Sequence, residues 1–450
     1  MTPEQILSLE PALADFVGEF SECFSRSDTA SHVDHYVSGQ LSDIPRKTAQ
    51  AIADRAGIPP RTMQEFLSLS DWDGALMRDR VQQIVVRDHF DPQAIGIVDE
   101  SGHPKKGDKT ACVQSQYCGN TGKIDNCVVT VHLSYVSYDN HFRTMLDSEL
   151  FLPEHTWKDP ERREKAGIPD DVVYRPKYDI ALEQLRRAQS NGVQFAWITA
   201  DEWYADKPKF IAGLQTLGLR FVMEIPRDTR GWLFFPGNQP VPAKPVANLC
   251  LYSRPMMCQA WTRFHIKNTE KGAQVWEAKV TPFWLPLNGQ VVGPIWLVYA
   301  RNVLNPTEQK LFLSNAAPGT PVEVILHVAF SRWPIERCLE DEKTELGLSH
   351  FELRKYRGIV HHLFLTQVSH LFLARQAKRL RGEKYRDHYV PSPHRQPCVV
   401  GRVTAESHRS PRTSAACRGA VAAYSAGQRQ STTLSHQNTL GPTRRTQHLA

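Results

Sequence analysis

Three carboxylates stand where their chemistry would matter: Asp99, Asp201 and Glu336. Asp99 closes the apolar run Ala94-Ile95-Gly96-Ile97-Val98, and Asp201 closes Phe195-Ala196-Trp197-Ile198-Thr199-Ala200. Glu336 lies in a stretch of helical spacing, after Arg332 and before Lys343. At about 100° per residue, those three side chains fall within about 40° of one another on one helix face, and Glu340 shares the stripe. Carboxylate oxygens are the ligands Mg²⁺ and Mn²⁺ prefer, and a pair of such ions drives phosphodiester chemistry. Brought to one centre, the acids would hold metal, with two cations beside them for phosphates. Each acid alone has a plainer explanation. A strand-end Asp often forms a turn or caps a helix, and a Glu among Arg and Lys stitches a surface face.

The elements that must position these groups can be read in outline. Residues 1–90 are helical in pattern. Thr2-Pro3-Glu4-Gln5 offers a capping box, and Pro45–Ala56 and Pro60–Leu69 are helices parted by Gly57. With Arg46, Lys47, Arg55 and Arg61, that pair suits a DNA-binding helix-turn-helix or, equally, a plain bundle segment. A helix after Asp71 puts Met77, Val81, Ile84 and Val85 on one stripe. Strands are expected at Ala94–Val98, Val113–Tyr117 and Cys127–Tyr135, the last two joined by the turn-rich Cys118–Lys123. Then come helix Tyr178–Gln189, strand Phe195–Ala200, helix Pro208–Leu217 and strand Arg220–Ile225. That α/β order, with an Asp at the ends of the first and fourth strands, matches a ribonuclease-H-like arrangement.

Residues 226–305 are rich in Pro and Trp among β-branched residues and predict a mostly β insertion. Val322–Leu346 and Val360–Leu380 return to helix. The expected organisation is a helical N-terminal DNA-binding domain (1–90), a first core part (91–225), the insertion (226–305), a second core part with the Glu336 helix (306–385) and a basic, low-order tail (386–450).

Bulk properties narrow the class. The 450 residues carry a net charge of +6. After Lys384, nine arginines face only Asp387 and Glu406, so the tail holds +7 and the rest about −1. The basic balance therefore does not mark the body as a nucleic-acid binder; local patches must. Nine cysteines are scattered without a CxxC pair, which favours free thiols over zinc or disulfides, including at Cys112, Cys118 and Cys127. No apolar run reaches the roughly 18 residues of a membrane span. Glu4, Glu10 and Asp15 are unlike a secretory leader, so a cytoplasmic, nucleoid-associated location is expected.

The blocks around the acids carry a resemblance. Val98-Asp99-Glu100-Ser101-Gly102-His103-Pro104-Lys105-Lys106-Gly107 and Gln116-Tyr117-Cys118-Gly119-Asn120-Thr121-Gly122-Lys123 resemble the first-aspartate block of bacterial insertion-sequence transposases. Ile198-Thr199-Ala200-Asp201-Glu202-Trp203-Tyr204 resembles the second block. Arg332-Trp333-Pro334-Ile335-Glu336, with Lys343 and the run Glu345–Arg354, resembles the third. Together they resemble the DDE transposases with a Tyr-Arg-Glu-Lys signature, insertion-sequence family 701, over roughly Asp71 to Leu380. The Tyr position of that signature is Ala329 here, with Phe330 adjacent. The 135 positions between Asp201 and Glu336 are explained by the family's β insertion.

The resemblance implies two Mg²⁺ ions, with Mn²⁺ as a substitute, held by Asp99, Asp201 and Glu336. Water would cut the element end, and the freed 3′-OH would attack target DNA. Arg332 and Lys343 would bind phosphates, and Lys105, Lys106, Lys109 and Lys123 would line the same path. Trp residues of the insertion are expected mainly in its core, with stacking on an extruded base as the alternative. The partner is double-stranded DNA, bound as a dimer. Two rival readings stay open. One is an inactive relic that only binds DNA, motivated by a patternless tail that would suit a shifted reading frame. The other is a nuclease of the same fold that ignores end sequence.

Overall fold

The computed structural model describes residues 2–387 apart from 238–240, 270–271 and 288. Six helices come first: α1 (Pro3–Leu7), α2 (Leu9–Gly18), α3 (Ser27–Gln40), α4 (Ala49–Ala56), α5 (Pro60–Ser68) and α6 (Gly74–Asp88). Their caps follow the sequence. Thr2 and Gln5 form the capping box of α1, and Thr48 and Asp73 accept from the first turns of α4 and α6. Gly57 ends α4 at φ +68°, a conformation that costs glycine little. The α4–α5 pair shows mixed use of its cations. Lys47 is buried and donates to the Ser42 carbonyl, Arg46 pairs with Glu352 at 3.0 Å and Arg61 with Glu65 at 2.6 Å, while Arg55 is exposed. Lys47 is thus a packing residue and not part of a DNA-facing row.

The central sheet contains β1 (Ile95–Pro104), β2 (Gln114–Cys118), β3 (Lys123–Val136), β4 (Arg143–Leu150) and β5 (Trp197–Thr199). Its spatial order is β4-β3-β1-β5, with β2 on the first residues of β3. β3 runs antiparallel to both neighbours, and β5 runs parallel to β1. Two results differ from expectation. β1 does not end at Asp99 but continues to Pro104, because its backbone stays paired with β3 to that point and His103 finds partners inside the protein. Thr130 on β3 accepts or donates to His103 at 2.8 Å and donates to the Ser101 carbonyl at 3.3 Å. β4 was not anticipated at all. Arg143-Thr-Met-Leu-Asp-Ser-Glu-Leu lacks apolar alternation, yet Asp147 pairs with Arg187 at 2.8 Å and Glu149 with Arg175. Those distant arginines let a charged sequence lie in a sheet.

Helices α7 (Pro160–Ala166), α8 (Lys177–Ser190), α9 (Glu202–Ala205) and α10 (Pro208–Thr216) follow the sheet strands or connect them. Gln184 of α8 donates to the Val131 carbonyl of β3 at 2.9 Å, fixing the helix on the sheet. β6 (Val222–Glu224) lies beyond β5, joined by a parallel bridge between Ile198 and Phe221.

A second sheet grows from β6. After the ribbon β7 (Arg230–Gly231) and β8 (Lys244–Pro245), and the short helices α11 (Val246–Tyr252) and α12 (Arg254–Cys258), come β9 (Thr262–Thr269), β10 (Gly272–Leu287), β11 (Gln290–Asn302) and β12 (Gln309–Ser314). The order is β6-β12-β11-β10-β9, antiparallel throughout. Its tryptophans mostly pack. Trp276 is wholly buried 4.7 Å from Phe330, Trp296 donates to the Ala316 carbonyl at 3.0 Å, and Trp232 to that of Val241 at 2.9 Å.

Three helices close the described chain: α13 (Val322–Phe330), α14 (Trp333–Thr344) and α15 (Tyr356–Asp387). The single helix expected over Val322–Leu346 is two, parted at Ser331-Arg332. Pro334 sits at the start of α14, where its missing N–H and fixed φ suit a first turn and not an interior. α15 ties the N-terminal helices to the rest. Tyr36 shares a 2.7 Å hydrogen bond with His362, Gln40 donates to Thr366 at 2.9 Å, and Ser369 donates to Gln40 at 2.8 Å. One hydrophobic cluster accordingly includes Phe16, Phe66, Val98, Leu146 and Leu371.

The cysteines among the described residues are free, and all but Cys258 are buried. No helix among these residues is long and apolar enough to cross a membrane. Apart from Arg386 and Asp387, which end α15, the expected low-order tail lies outside the described residues.

Candidate active site

The register of β1 and β5 does the first work. Ile97 pairs with Thr199 in parallel, so Asp99 and Asp201, each two residues farther on, are carried to the same end of neighbouring segments. Asp99 lies within β1, opposite His132 of β3, and its side chain is only 15% exposed. Asp201 lies just past β5 and caps α9, accepting from the Trp203 and Tyr204 amides at 3.0 and 3.2 Å. The cap explanation therefore holds for Asp201, and it also fixes where the carboxylate sits.

α14 delivers the third acid. Glu336 is in its first turn, and Arg332, at its start, reaches both ways. The Arg332 guanidinium donates to Asp99 Oδ2 at 3.3 Å and to Glu336 Oε1 at 2.5 Å. Burial, and then the neighbouring Asp201 charge, push the Asp99 carboxyl up to about 7 against the pull of Arg332, with Glu336 adding to the rise. Burial works against the Arg332 charge, but Asp99, Glu336 and Asp201 together hold it above its ordinary value. The three acids thus act on one another and on one guanidinium. Lys343, farther along α14, is pulled down by burial and supported by the Asp99 charge; its ammonium donates to Asn120 Oδ1 at 3.3 Å.

Among the described residues, no three His, Cys, Asp or Glu side chains already form a metal-ligating group. Arg332 lies between two of the acids instead. The donor set nevertheless suits a hard divalent cation. It consists of carboxylate oxygens, one of them buried beside another acid and in need of positive charge.

The basic residues expected along a DNA path divide into two kinds. Lys105 donates to the Phe351 carbonyl at 2.8 Å and lies 3.3 Å over the Phe351 ring, and burial pushes its ammonium down to about 7. These contacts pin the segment after α14. Lys106, Lys109 and Lys123 are exposed. At the signature's Tyr position, Ala329 is buried in α13, and Phe330 packs on Trp276, so no hydroxyl is offered there.

Several groups near the acids were not foreseen. Glu100, adjacent to Asp99, pairs with Lys177 at the start of α8 at 2.8 Å. Trp203, two residues past Asp201, is 39% exposed with the ammonium groups of Lys177 and Lys207 at 5.2 and 4.9 Å from its ring. A buried chain of hydrogen bonds runs beside Asp99: Ser349 to His103 at 2.9 Å, His103 to Thr130 at 2.8 Å, Thr130 to His132 at 2.6 Å, and His132 to Ser148 at 2.7 Å. Burial pushes His132 down to about 3 and His103 well below its usual value, so both rings are neutral. The alternating polar residues Ser101/His103 and Thr130/His132 in otherwise apolar strands were the available signal.

Residues 19–270 match the family described as DDE superfamily endonuclease, a stretch that includes Asp99 and Asp201 and stops before Glu336. A probable transposase for insertion sequence element IS701 of Microchaete diplosiphon is 29% identical over 332 residues, which cover 71% of this chain and 76% of that one. The NurA nuclease from Sulfolobus solfataricus aligns over 59% of this chain and 90% of its own at 10% identity, with a TM-score of 0.25 that carries no weight for the fold. With more than half of its length matched, the chain belongs to the DDE superfamily of endonucleases.

Proposed function

We propose that this DDE enzyme is a DNA transposase that cuts the ends of an insertion sequence and joins the freed 3′-OH to target DNA. The observation that carries the proposal is that Arg332 bonds to both Asp99 and Glu336, while the β1–β5 register carries Asp201 to the same end of the sheet as Asp99. The likeness to an insertion-sequence transposase supports the same reading. So does the strand order β4-β3-β1-β5, with one parallel pair bearing the two aspartates, which suits a ribonuclease-H-like core carrying the second sheet as an insertion.

Asp99, Asp201 and Glu336 would hold two Mg²⁺ ions, or Mn²⁺ in their place. Such ions, when bound, activate an oxygen nucleophile and neutralise charge on the phosphate. The chain's own residues supply the positioning. Arg332, which now satisfies two acids, would turn to a phosphate oxygen once those acids have other partners. Lys343 would bind a second phosphate from the same helix face. The cap at Asp201 and the strand around Asp99 hold those two carboxylates in place, so that Arg332 and Glu336 are the groups left to adjust. Residues 1–90 would recognise the element's ends through α4 and α5, with the chain acting as a dimer on DNA.

The test is an incubation of the full chain with Mg²⁺ and duplexes bearing the element's ends. Cutting at the ends followed by joining is the expected result. Cutting that ignores the ends would assign a plain nuclease, and binding without cutting would assign a relic; either outcome removes the proposal.

A further inference from the structure

β2 and the first residues of β3 form a hairpin whose apolar residues the chemistry above does not use. In its register Tyr117 faces Ile124, one step from the turn. Both are open to solvent, Tyr117 at 61% and Ile124 at 72%. Two large apolar side chains paired across a hairpin and left in water call for a covering partner.

The turn that presents them is closed by backbone hydrogen bonds. The Thr121 and Gly122 amides donate to the Cys118 carbonyl at 3.0 and 2.9 Å. Cys118 is buried against Gly102, where an added Cβ would meet its sulfur at 2.6 Å. Gly102 is a few residues from Asp99 on β1, about 10 Å of strand. Asn120, at the tip, accepts the bond from Lys343 of α14. The apolar pair is therefore anchored at two points to the elements that bear Asp99 and Glu336.

Cations lie along the hairpin, with Lys123 at the turn. Lys106, Lys109 and Lys123 are exposed, and Asn126 donates to the Lys105 and Gly107 carbonyls at 2.7 Å each, holding the Lys106–Gly107 turn beside β3. Asp108 and Asp125 are the acids of the same stretch, so cations outnumber them. An apolar edge rimmed by ammonium groups fits duplex DNA, with phosphates on the rim and a base step at the edge.

We propose that Tyr117 and Ile124 form a wedge that enters the DNA beside the phosphate to be cut and unstacks the base step there. The proposal rests on the reading that this chain cuts DNA. It adds a contact that would hold the scissile strand open before the acids.

Permanganate, which oxidises thymines once they are unstacked, tests it. The full chain is bound to duplexes bearing the element's end with A·T pairs across the boundary, without divalent metal. Wild type should make the boundary thymines reactive. The double variant Tyr117→Ser/Ile124→Ser should still bind but lose that reactivity about 10-fold, with an unchanged melting temperature, and Tyr117→Phe should keep it. With Mg²⁺, cutting by the double variant should fall on paired DNA and recover on a duplex mismatched at the boundary. Equal reactivity in wild type and double variant, or none in wild type, overturns the wedge. Reactivity without cutting would remove the transposase reading and leave the wedge; cutting without reactivity would do the reverse.

Discussion

Arg332 serves as the internal counter-ion of the carboxylate group. Its side chain and those of Asp99 and Glu336 are 27%, 15% and 48% exposed, so water screens part of the attraction. Arg332→Ala should lower stability by on the order of 1 kcal/mol without metal, and added Mg²⁺ should raise the melting temperature more in the variant than in wild type. A fall that Mg²⁺ leaves untouched would argue against a shared site. Glu342, on the buried side of α14, gives a separate pH signature. Burial, with the Asp341 charge, pushes its carboxyl up to about 8. The folded state then binds the proton more tightly than the unfolded one. The stability it confers is full below about 4.5, the ordinary carboxyl value, and is lost as pH rises through about 8. Glu342→Gln should flatten that slope, stabilising the protein at pH 8 by on the order of a few kcal/mol and hardly at all at pH 4. Thermal melts across that range check it. At this scale the acids, Arg332 and Lys343 were visible in the sequence, because types and helical spacing are local facts. The role of Lys105 was not. Its partners, the Ser349 and Phe351 carbonyls, lie far along the chain, and only the fold brings them together.

Among the elements, the apolar runs before Asp99 and Asp201 predicted strands correctly, and their parallel pairing is what sets the aspartates side by side. What local pattern could not give was strand continuation through polar residues. β1 persists past Asp99 because its backbone stays paired with β3 and Thr130 satisfies His103, and β4 exists because α8 and its approach supply arginines to Asp147 and Glu149. A run scanned for alternation stops at such residues. The close fit of β1 and the hairpin gives a test at this scale. A methyl group at Gly102 would press on the Cys118 sulfur and on its Cα at 3.2 Å, so backbone must move. Gly102→Ala should cost about 1–3 kcal/mol in denaturant unfolding. It should also loosen the turn at Asn120, seen as faster amide exchange at Thr121 and Gly122. Unchanged exchange there would show that the hairpin does not depend on this contact.

For the molecule as a whole, α15 joins the N-terminal helices to the sheet through a buried polar seam as well as through hydrophobic contact. Gln40 donates to Thr366 and to the Leu346 carbonyl and accepts from Ser369, all out of water. Gln40→Ala would strand those partners and should cost about 1–3 kcal/mol. Because the helices share one hydrophobic cluster with the sheet, tryptophan fluorescence and far-UV dichroism should still report a single coincident transition. Two separated transitions would mean that residues 1–90 fold as an independent domain. The sequence pattern marked residues 1–90 as helical but did not single out α3 or its seam with α15, since buried Gln40, His362 and Thr366 resemble surface residues in a single chain.

In the proposed reaction Asp99, Asp201 and Glu336 would act as one metal-holding group on DNA. The most direct measurement is Mg²⁺-dependent cutting and joining of duplexes bearing the element's ends, by wild type and by Asp99→Ala, Asp201→Ala and Glu336→Ala in parallel. Wild type should cut and join, chelation of Mg²⁺ should abolish both, and each variant should lose about 10³-fold or more while DNA binding persists. Wild-type activity retained in any one variant would contradict that shared role.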